Sequence, residues 1–239
     1  MSSTERSRTR TIAYLALYIA LYIALKYVGN LIPFLQMPNG GSIELELIAV
    51  FLASYQLGWK NGVIVAILAW LLTFILGFPM WFVSPMQTLL DYVLPLVVCG
   101  MASLLWPFRS LNKPAAICMA VIIAVAAYFG ITKSWNGAAS LLVGVIVAIA
   151  AGAFTYWYVQ TRKRFGIVIS MLLKYVFQML SGVFFWFPEG SAAGSAEAWT
   201  YSIGYNLWYN LVTMVVCIFV VPMIIDRLGK SGIRFVKKA

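Results

Sequence analysis

Long apolar stretches and short polar breaks alternate along all 239 residues of the chain. A helix of about 20 apolar residues crosses a bilayer, and roughly 15–17 suffice where the bilayer thins. On that scale the pattern predicts eight membrane-spanning helices, over 11–29, 43–57, 62–78, 84–106, 114–131, 138–160, 165–187 and 203–226. Turn chemistry marks the breaks: Pro38-Asn39-Gly40-Gly41, Gly58-Trp59-Lys60-Asn61-Gly62, Asn112-Lys113-Pro114 and Asn136-Gly137. The second and third spans are short. The stretch 188–198, rich in Gly, Ser and Ala, reads as an outer loop. The first span lacks a small-residue cleavage site and carries Lys26, so it is expected to be a retained helix rather than a signal peptide. No solenoid-type repeat is visible.

Composition agrees with the pattern. The chain is 63% hydrophobic and 10% charged, against roughly 45–50% and about 25% in soluble domains. An all-α integral membrane protein is expected, forming a single membrane domain over 1–239. The net charge of +10 is a topology signal rather than a nucleic-acid footprint, because Lys and Arg near helix ends stay cytoplasmic. With the N-terminus inside, basic residues gather on the inner segments, including Arg109, Arg162 to Arg164 and the tail from Arg227 to Lys238. The outer segments hold only Lys133, and Lys26 and Lys174 fall within spans. An odd number of crossings would scramble this separation, so both termini are expected to be cytoplasmic. The basic tail would also attract anionic membrane lipid.

Several chemistries drop out. The chain has no histidine, which excludes Ser-His-Asp hydrolysis and His-dependent zinc sites. Cys99, Cys118 and Cys217 lie far apart within apolar runs, and no phosphate-binding loop is present. An enzyme is not expected, nor a metal site or cofactor.

The informative residues are polar ones placed where they are expensive. A charge near the bilayer interior costs at least about 2.5–3.5 kcal/mol on insertion scales. Asp91 lies roughly 10 Å into the fourth span. Lys174 and Gln178 are one turn apart on the seventh, with Trp186 two further turns on. Tyr201, Tyr205, Asn206 and Asn210 cluster at the start of the eighth. Acid, amides and aromatics at one depth suggest an outward-facing binding pocket. Plainer readings stand beside it: Asp91 as a structural partner of Lys174, Gln178 and Asn206 as interhelical glue, and Trp186, Trp81 and Trp199 as interfacial aromatics. Glu44 and Glu46 read as solvated carboxylates at a loop end. On the first span, Ala16, Ala20 and Ala24 recur every four residues, a row that lets another helix approach closely or serves internal packing.

Taken in order, these segments resemble a known family. They are Gly40-Gly41-Ser42, Gly58-Trp59-Lys60-Asn61-Gly62, Ser84-Pro85-Met86-Gln87 with Leu90-Asp91-Tyr92, Ser181-Gly182-Val183-Phe184-Phe185-Trp186, Ala198-Trp199-Thr200-Tyr201-Ser202 and Tyr205-Asn206. The chain resembles the substrate-binding S components of energy-coupling factor (ECF) vitamin transporters, in their thiamine-specific ThiT type, over roughly 12–106 and 165–226.

The resemblance implies an S-component core over 11–106 and 165–229, interrupted by an inserted helical hairpin at 110–162. It implies thiamine as ligand, with Asp91, Lys174, Gln178, Trp186, Tyr201 and Asn206 at pocket positions and Trp81 beside them. It also implies that Ala16, Ala20 and Ala24 dock on a membrane-embedded coupling subunit. Two ATPase subunits would hydrolyse ATP, and the assembly would sit in a bacterial or archaeal plasma membrane. Three departures bear on the ligand rather than the fold. Asp91 stands where the family has glutamate, Gln178 where it has histidine, and the 30–42 loop carries Phe34 but no tryptophan. Two alternatives stay open: an S component for another vitamin or precursor, such as a pyrimidine, and a membrane protein without a transport role.

Overall fold

A computed structural model describes residues 3–37, 40–105, 113–134, 138–161 and 165–231. The turn residues Pro38, Asn39, Asn112, Asn136 and Gly137 lie outside the described residues. So do Arg109, Arg162, Lys163, Arg164 and the basic residues beyond Ser231.

The described residues form eight α-helices: α1 (Ser3–Leu31), α2 (Leu47–Leu57), α3 (Trp59–Ile75), α4 (Pro85–Gly100), α5 (Lys113–Ser134), α6 (Ala138–Thr161), α7 (Phe165–Phe185) and α8 (Ala196–Lys230). A short 3₁₀ turn, Pro33–Leu35, follows α1. Among the described residues, four helical segments are long and apolar enough to cross a membrane: Arg8–Leu31, Ser140–Trp157, Phe165–Phe185 and Ala196–Lys230. Four shorter apolar segments, Leu47–Leu57, Trp59–Ile75, Pro85–Gly100 and Ala116–Phe129, complete the set. The chain is a multi-pass helical membrane protein. Large apolar side chains such as Ile12, Leu71, Phe74, Leu142 and Phe219 face outward, as a lipid-facing surface requires.

Eight crossings were expected, and the second and third, already short in the sequence, differ in their bounds. Residues 43–46 are not helical, and α2 has only 11 residues, about 16 Å at the helical rise. The expected five-residue break after α2 contracts to Gly58 alone. Its φ of +88° is open to glycine at little penalty, and its N–H closes α2 by bonding to Ser54 O at 3.1 Å. Asn61 Nδ2 then satisfies Leu57 O at 2.8 Å, so α3 starts at once. The last helix is longer than expected. Ser195 caps its N-terminus by accepting from Ala198 N–H at 3.2 Å, and it runs for 35 residues.

α4 contains a π-helical turn over Leu89–Val93. Pro95 explains it physically. Proline has no N–H to offer the carbonyl of residue 91, and its ring crowds that carbonyl in an α-helix. The turn widens, and Leu94 N–H bonds five residues back to Leu89 O. Asp91 sits in this widened turn.

The chain divides into two compact units, Met1–Leu105 with Gly166–Ala239, and Trp106–Phe165. The second is the antiparallel pair α5–α6. In the first, α1 packs on α2 and α3, α4 on α2 and α3, and α8 on α2. α2 is the centre of this unit, with Leu47 to Ala53 all buried. At Gly182, α7 comes so close to α8 that a Cβ would lie 2.2 Å from Ser202 Oγ.

Candidate binding site

The site is assembled in the larger unit from the loop before α2, the first turns of α4, and the facing sides of α7 and α8. On α4, Ser84 caps the helix by accepting from Gln87 N–H at 3.1 Å, with Pro85 in the first turn. Gln87 is fully buried. It accepts from Val83 N–H at 3.1 Å and donates through Nε2 to Asp91 Oδ2 at 2.5 Å. The cap thereby aims the carboxylate. Trp186 Nε1 donates to the same oxygen at 2.9 Å, which joins the end of α7 to α4.

Asp91 does not pair with Lys174, which overturns the reading of these two as a structural ion pair. Lys174 is 1% exposed, and its three donors are taken by Glu44 Oε1 at 3.1 Å, Gln178 Oε1 at 2.7 Å and Asn210 Oδ1 at 2.9 Å. The ammonium also stands 5.6 Å from the ring centroid of Tyr209. Glu44 and Glu46 are correspondingly not solvated loop-end acids. Glu44 holds Lys174, and its own N–H bonds to Thr213 Oγ1 at 3.1 Å. Glu46 is 2% exposed and pairs with Lys26 at 2.7 Å. Each lysine inside a span is therefore matched to one glutamate of this loop. Asp91 is left with only neutral hydrogen-bond donors among the described residues.

Tyr201 stacks on Tyr205 with ring centroids 5.6 Å apart, and Tyr205 meets Tyr209 edge-on at 6.0 Å. The spacing of four residues places the three rings along one side of α8. Gly41 N–H donates to the Tyr205 hydroxyl at 3.1 Å, so the loop before α2 rests on this ladder. Asn206 is engaged internally. Its Nδ2 donates to Ser202 O at 2.9 Å and Ser202 Oγ at 3.1 Å, while its Oδ1 accepts from the Tyr209 hydroxyl at 2.5 Å. Trp81 lies at the rim, 64% exposed, with its indole beside Gly40. Phe34 is exposed at 79% and is not packed over the cluster.

The structure thus brings Asp91 together with Trp186, and Lys174 with Gln178. Tyr201 joins that second group through the tyrosine ladder. Sequence reasoning assigned Glu44 away from the site and did not single out Gln87 or Tyr209 as site residues. Gln87 carried a signal in its spacing of four from Asp91. Among the described residues no group of three or more Cys, Asp or Glu side chains is placed to hold a metal ion.

Away from this cluster, Ala16, Ala20 and Ala24 are exposed along α1. Tyr18 and Tyr22, on the other side of the helix, are 5% and 4% exposed, and the Tyr18 hydroxyl donates to Gln56 Oε1. The alanine row is not used for packing within this unit.

The chain is similar to the thiamine transporter ThiT of Bacillus subtilis (strain 168), 27% identical over 202 residues that cover 83% of each protein. A family model described as thiamine transporter protein (Thia_YuaJ) matches residues 16–231. That match takes in every residue of the cluster, and the chain belongs to the thiamine transporter protein family.

Proposed function

We propose that this chain is the substrate-binding membrane subunit of an ECF-type importer and that it binds thiamine at the Asp91–Trp186 end of the polar cluster. One observation carries the reading. Asp91 is a carboxylate inside an apolar helix bundle, held by Gln87 and Trp186 while the nearby lysine is neutralised by Glu44. The cluster formed by Glu44, Lys174 and Asp91 therefore carries one formal negative charge that no side chain offsets. A cationic ligand would supply the missing charge beside this partly buried carboxylate. Thiamine combines a thiazolium cation with an aminopyrimidine whose amino group can donate to a carboxylate. The indole of Trp186 and the ring of Tyr201 offer electron-rich faces to the cation, worth about 2 kcal/mol or more when desolvated. Asn206 and Trp81 would complete the contacts as the ligand enters.

The finer topology belongs to the same proposal. The short helices α2, α3 and α4 would cross a locally thinned bilayer, giving eight crossings with both termini cytoplasmic, as the basic residues favour. Residues 11–106 and 165–229 would form the S-component core and 110–162 an inserted hairpin. The exposed row Ala16, Ala20 and Ala24 would dock on a coupling membrane subunit, with two ATPase subunits supplying the energy. The plasma membrane of a bacterium or archaeon is the expected location.

Titrating the detergent-purified chain with thiamine, while following tryptophan fluorescence, tests the reading. Saturable quenching that is lost in Trp186→Phe and strongly weakened in Asp91→Asn is expected. Folded protein that responds to no thiamine concentration would remove thiamine from the proposal. A response to the pyrimidine half alone would favour a precursor as ligand.

A further inference from the structure

Gln178 is held by its neighbours in one orientation, and that orientation determines what a ligand must offer it. Lys174 can only donate, and it donates to Gln178 Oε1 at 2.7 Å. Asn210 Nδ2 donates to the same oxygen at 2.9 Å. Flipping the Gln178 amide would set its NH₂ against an ammonium and an amide donor in a buried site. Asn210 cannot flip in compensation, because its Oδ1 accepts from Lys174 at 2.9 Å and its Nδ2 also donates to Asn206 O at 2.9 Å. The Gln178 oxygen is thus committed inward. Its Nε2, with two protons, makes no hydrogen bond among the described residues. The side chain lies on the buried side of α7 with Lys174 and Ser181, and 9% of its surface stays accessible. Leu172 and Val176 are exposed on the lipid-facing side of the same helix.

We propose that Gln178 is a one-way hydrogen-bond donor that sets ligand specificity: it accepts only a ligand presenting a ring nitrogen or hydroxyl oxygen at that point. Lys174 and Asn210 are its positioning residues, and Glu44 holds Lys174 in place. Asp91 has the opposite polarity, since an ionised carboxylate can only accept. The cluster therefore offers an acceptor at one position and a donor at another, and a ligand with an amine at one end and an acceptor at the other seats in one direction. An amide does not titrate, so the donor is present throughout the physiological pH range.

The inference rests on the thiamine reading above, and its test separates the two. The full-length chain is titrated with thiamine, with an analogue in which hydrogen replaces the side-chain hydroxyl, and with the aminopyrimidine half. Wild-type protein that binds none of them overturns the thiamine reading and this inference with it. Given wild-type binding, Gln178→Glu is the first variant, because it keeps an oxygen for Lys174 and Asn210 while replacing the donor with an acceptor and adding a negative charge. Thiamine affinity is expected to fall about tenfold or more, even though a carboxylate would attract the cation. The penalty should vanish for the deoxy analogue if the hydroxyl is the acceptor, and persist for the aminopyrimidine half if a ring nitrogen is. Unchanged or tighter thiamine binding overturns the proposal. So does an equal loss for thiamine, its deoxy analogue and a pyrimidine half in which C–H replaces each ring nitrogen, which would mark a structural role. Gln178→Met, which also lacks the donor, should show the same loss and serves if the Glu variant fails to fold; unchanged affinity there overturns the proposal as well.

Discussion

The hairpin α5–α6 and the larger unit are both built from strongly apolar helices, yet they treat polar groups in opposite ways. In the hairpin, hydroxyls bond to their own helix: Thr132 Oγ1 donates to Tyr128 O at 2.9 Å and Thr155 Oγ1 to Ala151 O at 2.7 Å. The two helices meet through small residues, and a Cβ at Gly152 would stand 3.1 Å from Ala124 Cβ. In the larger unit, Lys26, Glu44, Glu46, Lys174 and Asn210 bond across elements instead. Small residues suffice to hold membrane helices together. The buried polar network is therefore not needed for packing as such, and its presence in one unit alone among the described residues sets that unit apart.

Removing one member of the network should have the largest effect. Lys174→Met strands Glu44 in an apolar surrounding and is expected to destabilise the protein by roughly 3–5 kcal/mol, read as a fall in Tm in detergent. Adding Glu44→Gln should recover most of that loss. A double variant as unstable as the single one would mean that the pair is not coupled.

Asp91→Asn is next. It removes the uncompensated charge while keeping the shape, and thiamine affinity should weaken about 100-fold, or about 2.7 kcal/mol, with little change in Tm. Equal affinity in a calorimetric titration would place the cation elsewhere.

Ala20→Trp fills the exposed row on α1. Co-purification with the coupling subunit should fall about tenfold or more, while thiamine affinity stays within about twofold. Loss of binding instead would give the row an internal role. The smallest effect on the ligand should come from the hairpin. Gly152→Leu overpacks α5 against α6 and is expected to lower stability by about 1–3 kcal/mol, with thiamine affinity again unchanged within about twofold. A larger change in affinity would end the contrast between the two units.

Much of the site was legible because intramembrane polar residues are rare and helical spacing relates them. Lys174 and Gln178, four apart, do meet, and Asp91 is where the cluster's charge lies. Glu44 was not legible. In the chain it follows Gly40-Gly41 and precedes the second apolar run, so it resembles any solvated acid at a loop end. Only the approach of that loop to α7 and α8, fixed by Gly41 on Tyr205 and Glu44 on Thr213, buries it against Lys174. Asn206 misled in the other direction. It reads as a pocket residue or as interhelical glue, but its hydrogen bonds run within α8, to Ser202 and Tyr209. The number and order of the helices were legible, but their lengths less so: the first and last run well past their apolar cores, to 29 and 35 residues, and near Gly58 one residue with positive φ replaced the expected break.

The sequence by itself determined that the chain is a helical membrane protein. So little charge over so much apolar length leaves helices as the way to satisfy the backbone away from water. It also determined which side of α1 carries the alanine row, because the 3.6-residue period relates Ala16, Ala20 and Ala24 without reference to any other helix. Only the tertiary structure decided which lysine neutralises which carboxylate. Lys26 and Lys174 could each pair with several acids on composition alone, and an ion pair forms only where helix packing brings nitrogen and oxygen within about 4 Å. Packing matched Lys26 to Glu46 and Lys174 to Glu44, and that choice leaves Asp91 without a lysine partner among the described residues.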